Sequence, residues 1–168
     1  KAMMRKYRLE AMVTAHHQED QAETILLRLI RGCGVRGAAG MARRTRIGAM
    51  LVLRPLLDVP GPALRRYLTD IGQSWREDAS NAGTHYRRNR IRHSILPLLK
   101  EMNPDVAAGL ARFAELCRDS ARAIERDARR VAVIKRRGRI LVDRKALRRK
   151  APAVRGIVLR QAIVAAGG

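Results

Sequence analysis

A chain of 168 residues suits one domain, or one domain and part of a second, and its 46% hydrophobic content can fill a packed core. With one Phe, one Trp and three Tyr, that core has to be aliphatic. Lys and Arg number 36 against 15 Asp and Glu, and the net charge of +21 points to a polyanion partner, since neutralising phosphates releases counterions.

Residues 11–15, Ala-Met-Val-Thr-Ala, read as a parallel strand buried on both faces, followed by His16 and His17. A helix follows, with Ala22, Ile25, Leu26, Leu29 and Ile30 on one stripe and Gly32 and Gly34 as its stop. In open parallel sheets, ligands bind beyond the C-terminal ends of the strands, and this strand-loop-helix unit places the histidines there. Arg43 to Arg46 read as a basic loop and Leu51 to Leu53 as a second strand. Pro62 opens a helix with Ala63, Leu64, Tyr67, Leu68 and Ile71 as its apolar stripe, and Gly72 ends it. Residues 73–86 form a polar loop containing Trp75.

From Asn89 the pattern is helical again, with a kink expected at Pro97. The longest periodic segment carries Val106, Leu110, Phe113, Cys117, Ala121, Ile124, Ala128 and Val131 at a spacing near a heptad's, which predicts a long packed helix broken by Gly138. Ile140 to Val142 fits a short strand or a turn, and Ala146 to Ala165 is helical with a break near Pro152. The fold class is therefore α/β: a partial parallel-sheet domain over residues 1–80, then an all-helical domain over 81–168, itself expected to be incomplete. The sheet is too small for a whole doubly wound domain, so at least one β-α unit is expected before Lys1.

Cys33 and Cys117 share no metal-ligand spacing, so no structural metal is expected, and two scattered thiols suit a reducing cytoplasm. No apolar run is long enough to span a membrane. The segment His16-His17-Gln18-Glu19-Asp20-Gln21-Ala22-Glu23-Thr24 is the most informative. Asp20 and Glu23 lie three apart at a helix N-terminus. One reading is capping, with Asp20 as cap and Glu23 reaching back. The other is a site, because a purely structural sequence has little reason to place two imidazoles and three carboxylates at the mouth of a sheet.

This segment, followed by Arg31-Gly32-Cys33-Gly34, resembles the tRNA(Ile)-lysidine synthetases, whose stretch reads H-H-x-D-D-Q-A-E-T and then R-G-x-G; Glu19 replaces the first Asp. The resemblance continues in order through Arg54-Pro55-Leu56-Leu57, Trp75 to Asn81, Tyr86 to His93, Leu96-Pro97 and Asn103-Pro104. It covers residues 11–105 closely and the rest loosely.

The resemblance implies an N-type ATP pyrophosphatase domain of the PP-loop kind followed by a helical domain. It implies an ATP-dependent carbon–nitrogen ligase, with Mg accompanying the ATP, that adenylates the wobble cytidine of an isoleucine tRNA and lets free lysine displace AMP. Asp20 and Glu23 would bind lysine, and one carboxylate could accept a proton from the amine. His16 and His17 would line the catalytic pocket, and Arg31, Gly32 and Gly34 would lie near the phosphates, unless the glycines only stop the helix. Arg87, Arg88, Asn89, Arg90 and Arg92 would contact tRNA, with Arg88 and Arg92 on one helical face. Trp75 stacks on a base or packs in the core. The family's S-G-G-x-D-S phosphate loop is absent from the 168 residues, so a fragment inactive by itself is expected. Two alternatives remain: a non-catalytic RNA-binding module, and a related tRNA-modifying enzyme such as a sulfur-inserting one, which the lack of a C-x-x-C pair disfavours. A homo-oligomer is compatible with the sequence.

Overall fold

A computed structural model of the chain describes residues 9–75, 87–136 and 138–167. Two compact units emerge, Lys1–Cys117 and Arg118–Gly168. The boundary expected at residue 80 lies outside the described residues, as do Arg76 to Asn81, His85 and Tyr86 of the motifs. The helices that follow belong to the first unit because Leu96 and Ala107 share a core with Ala22.

The first unit is built on a three-stranded sheet in the order β1-β3-β2. β1 (Ala11–Val13) runs parallel to β3 (Met50–Leu53), Ala11 opposite Leu51 and Val13 opposite Leu53. β2 (Arg44–Ile47) is antiparallel to β3. The basic loop expected over Arg43 to Arg46 is thus largely a strand. Exposed Arg44 and Arg46 alternate with half-buried Thr45, the period of a half-buried strand. Ile47 pairs with Met50 across a two-residue turn, and Gly48 supplies the positive φ of 62°. β1 is not buried on both faces as expected: Val13 is 63% exposed, since among the described residues β1 pairs only with β3.

Helix α1 (Gln18–Ile30) leaves the end of β1. Its buried face is Asp20, Gln21, Ala22, Glu23 and Ile25, so the expected apolar stripe holds only in its first half; Ile30 is 63% exposed. Gly32, at φ 75°, stops the helix, and Gly34 caps the single turn of α2 (Val35–Ala38). Two side chains of α1 hold the chain beyond it. Gln21 pairs with Met41 as a strand would, donating to its carbonyl at 3.0 Å and accepting its N–H at 2.8 Å. Arg28 donates to the carbonyls of Gly37 and Gly40 at 2.9 and 2.8 Å.

Helix α3 (Gly61–Asp70) has Pro62 in its first turn. None of its residues is fully buried: of the stripe expected from Ala63 to Ile71, Leu64 and Leu68 are half-buried and Ala63, Tyr67 and Ile71 are exposed. The next helical stretch is α4 (Arg87–Arg90), a π-helical turn (Ile91–Ile95) and α5 (Leu96–Met102). The distortion expected at Pro97 takes this form: the wider turn precedes the proline, whose missing N–H then falls in the first turn of α5. Helix α6 (Val106–Ala128) carries a buried alanine at every seventh position, Ala107, Ala114, Ala121 and Ala128, with Cys117 also buried. Val106 and Leu110 of the expected stripe pack against the core, but Phe113 is 43% exposed and Ala114 faces inward in its place.

The second unit has its own core of Ala128, Val131, Val154 and Val158. The run between strand and turn proves to be β5 (Arg139–Val142), antiparallel to β4 (Val133–Arg136). Asp143 caps α7 (Arg144–Arg148), its Oδ1 accepting the Ala146 N–H at 3.0 Å, and α8 (Pro152–Ala166) begins at the expected proline. No helix of the described residues is long and apolar enough to cross a membrane.

Candidate functional site

The site lies in the first unit, where α1 begins beyond the ends of the parallel strands β1 and β3. His17 is the N-cap of α1. Asp20 itself reaches back and accepts the His17 N–H at 3.0 Å, whereas Glu23 turns elsewhere, so the capping expected of the pair is made by Asp20 alone. Glu23, with no exposed surface, and buried Asp20 would be costly as isolated charges. Arg88 and Arg92, one helical turn apart, neutralise them. Arg88 donates from Nε to Glu23 at 2.7 Å and from Nη2 to Asp20 at 3.0 Å. Arg92 donates from Nε to Glu23 at 2.6 Å and from Nη2 to Asp20 at 2.8 Å. Each guanidinium straddles both acids, a geometry that the planar fork of Arg allows and Lys does not. The bond to Glu23 is the largest influence on Arg92 and raises its pKa despite burial.

A second knot lies beside the first. Glu19 accepts His17 Nδ1 at 3.0 Å, the Gly61 N–H at 2.8 Å and Lys100 Nζ at 3.1 Å, joining the starts of α1 and α3 to α5. Burial alone would raise the Glu19 carboxyl, but the bonds from His17, Gly61 and Lys100 outweigh it and bring it down to about 2. The same bond holds His17 above the ordinary imidazole range, against burial and with help from Asp20. Gly61 approaches this knot closely: a Cβ there would stand 3.1 Å from Glu19 Oε2 and 3.3 Å from His17 Cε1.

His17, Glu19, Glu23, Arg92 and Lys100 form one wall of a cavity of about 590 Å³, and Leu64, Arg65, Leu68 and Trp75 form another. Trp75 is 46% exposed, so it is not a core residue. His16 is not part of this wall; its Nδ1 lies 2.8 Å from Thr14 Oγ1. Burial lowers its pKa most, opposed by Asp20 and reinforced by Arg54, Arg88 and His17.

The basic cluster predicted from sequence is therefore divided. Arg88 and Arg92 turn inward and Asn89 is buried, while Arg87 and Arg90 are exposed. Arg87 and Arg90 line a groove of about 260 Å³ together with Arg31, and Leu27, Ile30, Ile91 and Ile95 form its apolar floor. Arg31 thus stands with the outward arginines, while Gly32 and Gly34 stop one helix and cap the next turn. Lys100, Gly61, Thr14 and Gln21 escaped the sequence reading. Only Gln21 and Lys100 carried a signal, as polar residues beside an apolar stripe.

The PP-loop domain family matches residues 1–99. The chain is similar to the tRNA(Ile)-lysidine synthase of Chromobacterium violaceum, 46% identical over 121 residues, 71% of this chain and 28% of that protein. It is 43% identical to that of Pseudomonas fluorescens over 111 residues, 66% of this chain and 25% of that protein. With that of Geobacter sulfurreducens the identity is 39% over 158 residues, 92% of this chain and 33% of that protein. The chain thus spans a quarter to a third of the length of these relatives. The match over most of the sheet and site, in the order that the motifs require, shows that this chain belongs to the PP-loop domain family.

Proposed function

We propose that the chain is part of an ATP-dependent, tRNA-modifying carbon–nitrogen ligase of the tRNA(Ile)-lysidine synthetase type, and that its cavity receives free lysine. One observation carries this reading: buried Asp20 and Glu23, held by Arg88 and Arg92, sit beyond the ends of two parallel strands. A free amino acid is a zwitterion, and a wall presenting both signs matches it. Glu23 in the cavity wall would take an ammonium, with the Asp20 charge behind it, and Arg92 would take the carboxylate, while Leu64 and Leu68 cover the aliphatic stem. In the full enzyme the amine would then displace AMP from an adenylated wobble cytidine of an isoleucine tRNA.

Arg31, Arg87 and Arg90 would hold tRNA phosphates. This narrows the tRNA set expected from sequence, because Arg88, Arg92 and Asn89 are engaged or buried. The S-G-G-x-D-S loop that the family uses for ATP does not occur in the 168 residues, and Gly32 and Gly34 serve helix ends, so no nucleotide step is assigned to them. Among the described residues no group of three His, Cys, Asp or Glu could hold a metal ion, so Mg²⁺ is assigned no protein ligand. The chain alone is expected to release no AMP on incubation with ATP, lysine and unmodified tRNA.

The test is a nuclear magnetic resonance titration of the 168-residue chain with lysine and, separately, norleucine, which lacks the terminal ammonium. Lysine should perturb the side-chain signals of Glu23 and Arg92, and norleucine should not. Equal responses, or none, would overturn the lysine assignment and leave RNA binding without chemistry as the better reading.

A further inference from the structure

The cavity beside Glu23 and Arg92 has more room than one amino acid fills. Its volume of about 590 Å³ lies within the range of about 300–1,000 Å³ that takes a drug-sized ligand. Its second wall comes from α3, through Leu64, Arg65 and Leu68, and from Trp75 a few residues beyond that helix. Leu64 and Leu68 are half-buried, whereas Arg65 and Trp75 are exposed. Trp75 is the one tryptophan of the chain and is 46% exposed, although an indole carries a large apolar surface to cover. A single exposed apolar side chain on an open surface is ordinary. On a cavity wall that also carries a guanidinium, it has the makings of a base-binding site. Proteins hold unpaired bases by stacking them on aromatic rings and hold the backbone with cations.

We propose that Trp75 is the stacking platform of a nucleobase subsite in this cavity, with Arg65 on the same wall for the phosphate of the same nucleotide, and that the base received is an unpaired one from RNA. That base then shares one cavity with the amino acid taken by Glu23 and Arg92.

The chemistry of the wall suits a base better than it suits more of the amino acid. A lysine stem is flexible and is met by Leu64 and Leu68, whereas a rigid planar indole matches a rigid planar ring. The net charge of +21 draws in the anionic phosphate that accompanies a base. Chemistry on a base requires it to leave its stack, which costs the stacking it had with its neighbours. An exposed indole on the cavity wall returns part of that loss, and it does so for a single unpaired nucleotide only. The presence of an amino acid in the same cavity rests on the lysine reading above, whereas the stacking subsite does not.

Because the chain has a single tryptophan, its fluorescence tests the subsite directly in the 168-residue chain, excited at the red edge where nucleotides hardly absorb. Cytidine 5′-monophosphate should quench Trp75 saturably and ribose 5-phosphate should not, with N-acetyltryptophanamide as the control for collisional quenching. AMP represents the other source of a base. A response to both nucleotides supports the subsite, because stacking tolerates different bases. A response to AMP alone would assign the subsite to the nucleotide substrate and overturn the RNA base. Equal quenching by ribose 5-phosphate, or none by either nucleotide, would overturn the subsite itself. Ligand-detected nuclear magnetic resonance then compares variants whose backbone spectra show them folded. Trp75→Leu should weaken cytidine 5′-monophosphate binding by about 5-fold or more, the low end of the loss when a stacking aromatic is removed, and Trp75→Phe should keep most of it. Unchanged affinity in folded Trp75→Leu contradicts the proposal, and if that variant does not fold, the wild-type quenching decides. If lysine moves Glu23 and Arg92 while no nucleotide quenches Trp75, the subsite fails and the lysine site stands. If the nucleotide quenches Trp75 while lysine moves neither signal, the lysine site fails and the subsite stands. Quenching by lysine but by no nucleotide would make Trp75 part of the lysine site and sink the proposal.

Discussion

The arginines at 88 and 92 and those at 87 and 90 occupy one short helical stretch, yet they do opposite things. The inner pair is locked onto Asp20 and Glu23, and the outer pair faces solvent beside Arg31. Residue type is the same in both, so what separates them is the partner on the other element. The inner pair meets buried carboxylates that cannot remain alone, whereas among the described residues the outer pair lines an apolar groove. Positive charge in this chain therefore falls into two groups, one that holds buried carboxylates and one that stays on the surface and that the proposed function assigns to RNA.

The largest expected effect comes from breaking the inner pairing from the acid side. Glu23→Ala leaves the partly exposed guanidiniums of Arg88 and Arg92 with Asp20 alone and should cost about 3 kcal/mol in chemical denaturation, the low end for a broken buried pair. Arg92→Ala should cost nearly as much, somewhat less because Arg88 still reaches both acids. A loss below about 1 kcal/mol for both would place the pairs in the class of weak surface bridges and erase the distinction between inner and outer arginines.

The Glu19 knot gives a smaller, pH-dependent effect. Its carboxyl is lowered from 4.5 to about 2 in the folded chain, so its contribution is complete above pH 4.5 and disappears as pH falls towards 2. The stability difference between wild type and Glu19→Gln should therefore shrink across that acid window, from about 2–3 kcal/mol at most. A difference that does not change with pH would mean that the bonds to His17, Gly61 and Lys100 do not favour the ionised form. Gly61→Ala should cost up to about 1 kcal/mol, because its Cβ would press on Glu19 Oε2 at 3.1 Å and His17 Cε1 at 3.3 Å, and the loss should be smaller in a Glu19→Ala background.

The smallest effect on stability belongs to the outer pair. Arg87→Ala and Arg90→Ala should each stay within about 0.5 kcal/mol of wild type, as exposed positions generally do.

These contrasts also show what the sequence could and could not reveal. Gly32, Pro62, Gly72 and Pro152 announced helix ends because their constraints are local to one or two residues. β2 was hidden because its outward positions are Arg44 and Arg46, which alone read as a basic loop. The stripe of α6 was misjudged at one position, because small Ala114 faces inward where the larger Phe113 seemed the better core residue. Asp20, Glu23, His16 and His17 could be picked out because they are neighbours in sequence. Their partners could not, since Arg88 stands 65 residues from Glu23 and Arg92 stands 72 from Asp20. The spacing of Arg88 and Arg92 showed that they share a face, but nothing local said that the face points at carboxylates. Likewise, the link between Glu19 and Lys100 spans 81 residues and exists only after α5 has packed.

The most direct test of the division between the two pairs is the salt dependence of RNA binding. Affinity of an unmodified isoleucine tRNA would be measured against salt for wild type, for Arg87→Ala/Arg90→Ala and for Arg88→Ala/Arg92→Ala, under conditions where each retains its helical circular dichroism. Each lost phosphate contact should flatten the slope of log K against log salt by about 0.9 if the contacted RNA is double-helical, or about 0.7 if it is single-stranded. The account predicts a slope flatter by about 1.4–1.8 for the outer double variant and an unchanged slope for the inner one. A flattened slope for the inner variant with no change for the outer would contradict it.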